Sequence, residues 1–187
     1  MFIETEDTPN PATLKFLPGR DVVPNGTADF PRPELADASP LAKSLFALPG
    51  VARVFLASDF ITVTKADDAD WASLRTQVLG AIMEHFMAGR PVLAEDAVIA
   101  EEEAENFDPA DAETVAQIKD LLDTRVRPAV ASDGGDIIFR GFRDGVVYLR
   151  MQGSCSGCPS STATLKYGIE NMLRHYVPDV VAVQPAD

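Results

Sequence analysis

Two cysteines occur in the 187-residue chain, Cys155 and Cys158, both inside the run Gly153-Ser154-Cys155-Ser156-Gly157-Cys158-Pro159. A thiolate is at once a nucleophile and a soft metal ligand, and it needs surroundings that favour negative charge. The run reads as a short loop. A strand-like stretch, Val146 to Met151, leads in, and a helix-like stretch, Thr162 to Tyr176, leads out. Pro159 suits the first position of a helix, where no N–H donor is needed. Ser160 and Ser161 would then offer N–H and hydroxyl groups beside the sulfurs, and the helix start adds partial positive charge. Gly153 and Gly157 permit tight turns and close approach of a bulky ligand. The spacing lets two sulfurs converge on one metal centre, in a setting open to incoming thiolates.

Three chemistries use such a pair: iron–sulfur binding, structural zinc, and dithiol–disulfide exchange. Two inert buried cysteines are the bland alternative, and a Gly/Ser-rich loop with a glycine between them speaks against it. Zinc and cubane clusters both want about four ligands. One chain supplies two sulfurs, and the histidines lack metal spacing. His85 lies within an expected helix far upstream and reads as a surface or core residue. His175 lies near the end of the exit helix, roughly 25 Å from Cys158 by helix rise, and reads as a cation near a helix C-terminus. A complete site therefore calls for Cys155 and Cys158 from each of two chains, meeting across a two-fold axis. Lys166 follows one to two turns into the helix; it reads as a solvated lysine, with balancing of bound negative charge as its functional alternative.

The segment Asp133-Gly134-Gly135-Asp136, the hairpin after it, the cysteine run through Ser160-Ser161, and Thr164-Leu165-Lys166 resemble the C-terminal domain of NifU and the Nfu proteins. The opening Thr8-Pro9-Asn10-Pro11-Ala12-Thr13-Leu14-Lys15-Phe16 is similar to the N-terminal domain of Nfu-type proteins. Together these cover nearly the whole chain apart from an acidic stretch. The resemblance implies a carrier and not an enzyme. It implies a [4Fe–4S] cluster bridging a homodimer through Cys155 and Cys158 and passed to apo-proteins after receipt from an upstream scaffold; a [2Fe–2S] cluster would use the same sulfurs. A thiol–disulfide oxidoreductase and a zinc-bridged structural dimer are the alternatives. Against the first, no long parallel βαβ pattern precedes the cysteines.

Composition narrows the partners. The formal net charge is −13, which argues against nucleic acid and against an anionic membrane surface. Residues 1–109 carry 8 Lys/Arg and 19 Asp/Glu, whereas residues 110–187 carry 8 and 10. The acidity belongs to the front half, where it serves solubility or docking to basic client surfaces. No run approaches the ~18 apolar residues of a spanning helix. The acidic start, Met1 to Asp7, does not read as a signal or transit peptide. A bacterial-type cytoplasm is expected, or the mitochondrial matrix if a presequence has been removed.

The elements that must position the cysteines form an α+β chain of two small α/β-layer domains, residues 1–94 and 110–187. The stretch 95–109, with seven acids and no base, is expected to be a mobile linker that lets one domain hold a client while the other presents the cargo. In the first domain Ala12–Leu17 reads as a strand after the Thr8–Pro11 turn, and residues 21–38 as loop. Ser39 caps a helix over Pro40–Leu48 with Leu41, Leu45 and Leu48 on one face. Val51–Leu56 and Ile61–Thr64 form a hairpin. Asp70 caps a helix over Trp71–Ala88, whose stripe of Trp71, Leu74, Val78, Ile82 and Phe86 reads as core. The second domain is expected as αββαβ. Its first helix spans Ala112–Val130 with an irregularity near Pro128, and Ser132–Asp136 is a backbone turn. Strands Ile137–Phe142 and Val146–Gln152 join through Asp144-Gly145. The exit helix carries Leu165, Ile169, Met172, Leu173 and Tyr176, and Val180–Val183 closes the sheet.

Overall fold

Ser39 and Asp70 set the helix starts of the first half. In the computed structural model, which describes residues 1–95, 97, 104–157 and 159–186 (backbone only for 159–161), each side chain accepts an N–H of the first turn, from Ala42 at 3.0 Å and Ala72 at 3.0 Å. Each removes one orphan donor. Helix α1 runs Pro40–Phe46 and α2 runs Trp71–Met87. The chain divides into two units, Met1–Glu101 and Glu102–Asp187.

The first unit holds strands β1 (Glu4–Asp7), β2 (Thr13–Leu17), β3 (Ala28–Phe30), β4 (Val51–Leu56) and β5 (Ile61–Lys65). They form one antiparallel sheet in the order β1-β2-β5-β4-β3. Leu41, Leu45, Leu74, Val78 and Ile82 bury against Phe16, Val54, Leu56 and Ile61. The 21–38 region is not all loop. Asp29 and Phe30 pair with Phe55 and Val54, and a 3₁₀ turn spans Pro33–Ala38. A three-residue strand has too little pattern to stand out among Pro, Asp and Gly; its pairing with β4 and the burial of Phe30 create it.

His85 proves to be a core residue, 1% exposed, with neither ring nitrogen hydrogen-bonded among the described residues. Burial pushes its pKa below the ordinary imidazole value; the nearby Pro91 backbone offsets part of this and the Arg90 charge adds to it. A depressed folded pKa means that the neutral form stabilises the fold. That contribution is whole above an unfolded pKa of about 6.5 and is lost as pH falls toward the folded value. Thermal melts of the first unit should drop between pH 7.5 and 5, and His85→Phe should flatten that drop. Equal pH slopes for the two proteins would refute the assignment.

The second unit is built on β7 (Gly135–Arg143) and β8 (Val146–Gly153), an antiparallel hairpin. Its turn places Asp144 at φ 51° and Gly145 at φ 78°, the left-handed pair that a two-residue hairpin demands. β9 (Ala182–Pro185) lies parallel to β8, so β8, helix α5 (Pro159–Tyr176) and β9 form a crossover unit. The fourth strand, β6 (Asn106–Phe107), lies parallel to β7. It falls inside the acidic stretch expected to be linker. Phe107 packs its ring 6.4 Å from that of Phe139, which ties those residues to the sheet.

The first helix of this unit comes in three pieces. α3 (Ala112–Leu121) leads into a π turn over Leu122–Val126, then α4 (Arg127–Ser132). Pro128 has no N–H for the Thr124 carbonyl, and the Arg127 N–H reaches back five residues to the Leu122 carbonyl. Val115, Ile118, Leu122, Val126 and Val130 still face one core with Ile137, Leu149, Ile169 and Leu173. Tyr176, expected on the apolar stripe of α5, is 47% exposed and stacks against Arg125. Among the described residues no helix is long and apolar enough to cross a membrane.

Candidate functional site

The β7–β8 register sets Gly135 opposite Gly153 and Asp136 opposite Gln152. The cysteine loop thus leaves β8 beside the start of β7. Gly153 leaves the strand at φ 64°, and Gly157 sits at φ 87°, a region open to glycine without penalty. Between them the loop is tied back. The Ser154 N–H donates to the Gly134 carbonyl at 3.1 Å, and the Ser154 hydroxyl donates to the Asp133 carbonyl at 2.5 Å. The Thr162 hydroxyl, in the first turns of α5, donates to the Cys155 carbonyl at 2.8 Å.

Cys155 is 6% exposed and belongs to the core cluster of the unit. Its seat exists because Gly135 has no side chain. A Cβ there would overlap the Cys155 Sγ and stand 2.9 Å from the Gln152 carbonyl oxygen. The expectation of an open loop with activated sulfurs is therefore corrected for Cys155. Burial pushes its thiol up to about 12; the Ser154 hydroxyl opposes this in part, and the charges of Asp133 and Asp136 add to it. Cys158 lies outside the described residues, as do the side chains of Ser160 and Ser161.

Two neighbours of the seat carry more than the turn role read from the sequence. Gly134, at φ 82°, makes the turn; Gly135 makes the room. A glycine on each of two paired strand ends was the available signal, and the register is needed to read it. The other neighbour is Asp136, whose oxygens take a fork from Arg127 at 2.9 and 3.0 Å and the Ile137 N–H at 2.8 Å. Arg127 stands nine residues upstream, where the helix returns after its π turn, and no local pattern links the two.

The remaining candidates lie apart. His175 is exposed at the far end of α5, edge-on to Tyr176. Lys166 is half-buried, its Nζ 5.8 Å from the centre of the Tyr167 ring. Among the described residues no group of three or more His, Cys, Asp or Glu side chains is placed to hold a metal ion.

Comparison with known proteins places both halves. Residues 3–89 match the family described as "Scaffold protein Nfu/NifU N terminal", and residues 118–184 match the "NifU-like domain". The Arabidopsis thaliana "NifU-like protein 4, mitochondrial" is 54% identical over 187 residues; the alignment covers 98% of this chain and 65% of that protein. The human "NFU1 iron-sulfur cluster scaffold homolog, mitochondrial" is 51% identical over 185 residues, covering 98% and 71%. The chain thus spans about two thirds of the length of these relatives. Among solved structures, a NifU-like protein of Saccharomyces cerevisiae aligns at a TM-score of 0.42 and 24% identity, over 51% of this chain and 87% of its own.

Proposed function

We propose, since the chain belongs to the Nfu family of iron–sulfur cluster scaffold proteins, that it carries a [4Fe–4S] cluster between two copies of itself, held by Cys155 and Cys158 of each, and passes it to apo-proteins. The observation that carries this reading is the ligand count. The sequence has two cysteines, three positions apart, and a cluster of this kind is commonly held by about four thiolates. Two copies complete the shell.

Cluster carriage follows from that division. Each copy grips its cargo with two bonds, so an incoming client thiolate can replace one protein sulfur at a time. Separation of the two copies opens the rest of the shell. The protein supplies thiolates and a loop with glycines on both sides; the cluster supplies the redox-active iron that the client keeps. The −13 net charge keeps the carrier off nucleic acid and anionic lipid. The relatives named above are mitochondrial by name, which favours the matrix over the bacterial-type cytoplasm; both keep thiols reduced.

The burial of Cys155 weighs against that sulfur as the attacking thiol of a thiol–disulfide oxidoreductase, which must be accessible. Anaerobic reconstitution separates all three readings. The expected product is brown, elutes as a dimer and holds about four irons per dimer. A colourless protein that reduces insulin, or one purified with stoichiometric zinc, would overturn the proposal.

A further inference from the structure

The seat of Cys155 has a consequence for how the cargo is taken up. A cluster bridging two chains must bond each cysteine sulfur from outside its own subunit. Here the Cys155 side chain lies in the core of its unit, over the bare Cα of Gly135. With the residue 6% exposed, that sulfur offers little surface to a centre shared with a second chain. The loop is fastened from both sides, by Ser154 to the carbonyls of Asp133 and Gly134 and by Thr162 to the carbonyl of Cys155. Its ends are glycines at φ 64° and 87°, and a side chain at Gly157 would meet nothing within 4 Å. Among the described residues a Cβ at Gly157 has open space around it, whereas one at Gly135 would overlap the Cys155 Sγ.

We propose that this is a closed, thiol-sheltering conformation, with Gly135 as the positioning residue that admits the Cys155 side chain to the core, and that cluster loading requires the loop to swing out about Gly153 and Gly157. The inference rests on the cluster-carrier reading for its purpose but not for its geometry. Asp136, clamped by Arg127 and the Ile137 N–H, holds the strand end that carries Gly135, so the seat stays fixed while the loop moves. In the closed state the sulfur is out of reach of oxidants and stray metal ions. In the open state it is a ligand.

The test uses the full-length apo-protein with Cys158→Ser, leaving Cys155 as the one thiol, and follows alkylation by iodoacetamide. In the folded protein Cys155 should react roughly tenfold or more slowly than in the guanidine-denatured chain, because reaction waits on local opening. Adding Gly135→Ala should expel the side chain and bring the rate close to the denatured one, while far-UV circular dichroism stays native. Gly157→Ala, which strains the positive φ that the closed loop holds at that end, should favour opening and speed the reaction. A native rate equal to the denatured rate overturns the closed state, and that comparison stands even if Gly135→Ala fails to fold. An unchanged rate in a folded Gly135→Ala protein overturns the role of Gly135. A slow native rate in the Cys158→Ser protein, together with failure of the parent protein to take up a cluster on reconstitution, would leave the closed state standing and count against the carrier instead.

Discussion

Cys155→Ser and Cys158→Ser should each yield an apo-protein that no longer takes up a stable cluster. In the proposed dimer each substitution removes two of the four thiolates. Serine is a poor substitute, since its hydroxyl stays protonated and is a hard donor where iron–sulfur sites use soft thiolate. Bound iron should fall from about four per dimer to background, and the visible absorbance should vanish. The fold should survive. Cys155 sits in the core, so a buried hydroxyl there costs about 1–2 kcal/mol, within the stability of an ordinary domain. Melting curves and iron analysis on the same samples check both halves. Retention of a full, stable cluster by either variant would sink the site assignment, and global unfolding of either would show that the loop is a structural staple.

The second large effect concerns Arg127. Its guanidinium forks onto Asp136, whose side chain is 8% exposed, while its own is 43% exposed. The hydrogen bond to Asp136, opposed in part by burial, holds the Arg127 pKa above the ordinary guanidinium value, with Asp123 adding a smaller share. Arg127→Met would leave the Asp136 carboxylate in the core, with the Ile137 N–H still donating to it among the described residues. Removing one partner of a fully buried pair costs about 3–5 kcal/mol; with Arg127 partly in water, about 2–3 kcal/mol is the reasonable figure. For a unit of this size that lowers the midpoint by roughly 10–20 °C. Asp136→Asn should cost less, because the freed arginine still reaches solvent and Asp123 at 3.2 Å. Thermal melts of the two variants test the asymmetry. An Arg127→Met protein as stable as the parent, or one less damaged than Asp136→Asn, would show that the pair does not hold the strand end.

Most elements could be read from the chain because their signals are local. Ser39 before Pro40, Asp70 before Trp71 and the Asp144-Gly145 turn each act through atoms within four residues of themselves. The same holds for the break near Pro128, where a missing N–H acts on the preceding turn; its form as a π turn was not evident. What escaped was non-local. β3 exists because β4 offers it an edge, and β6 because β7 does; three- and two-residue strands carry too little pattern to be seen without their partners.

The site divides in the same way. The number of cysteines, their spacing and the loop between a strand and a helix stand in the sequence alone, and the proposal of a coordination shell completed by a second copy rests on them. Where the Cys155 sulfur rests does not stand there. That depends on Gly135 lying across from Gly153 and on Arg127 reaching Asp136, contacts that strand pairing and helix packing bring about. Ligand type is a property of a residue; access to the ligand is a property of its neighbours, and those are assembled only when the chain folds.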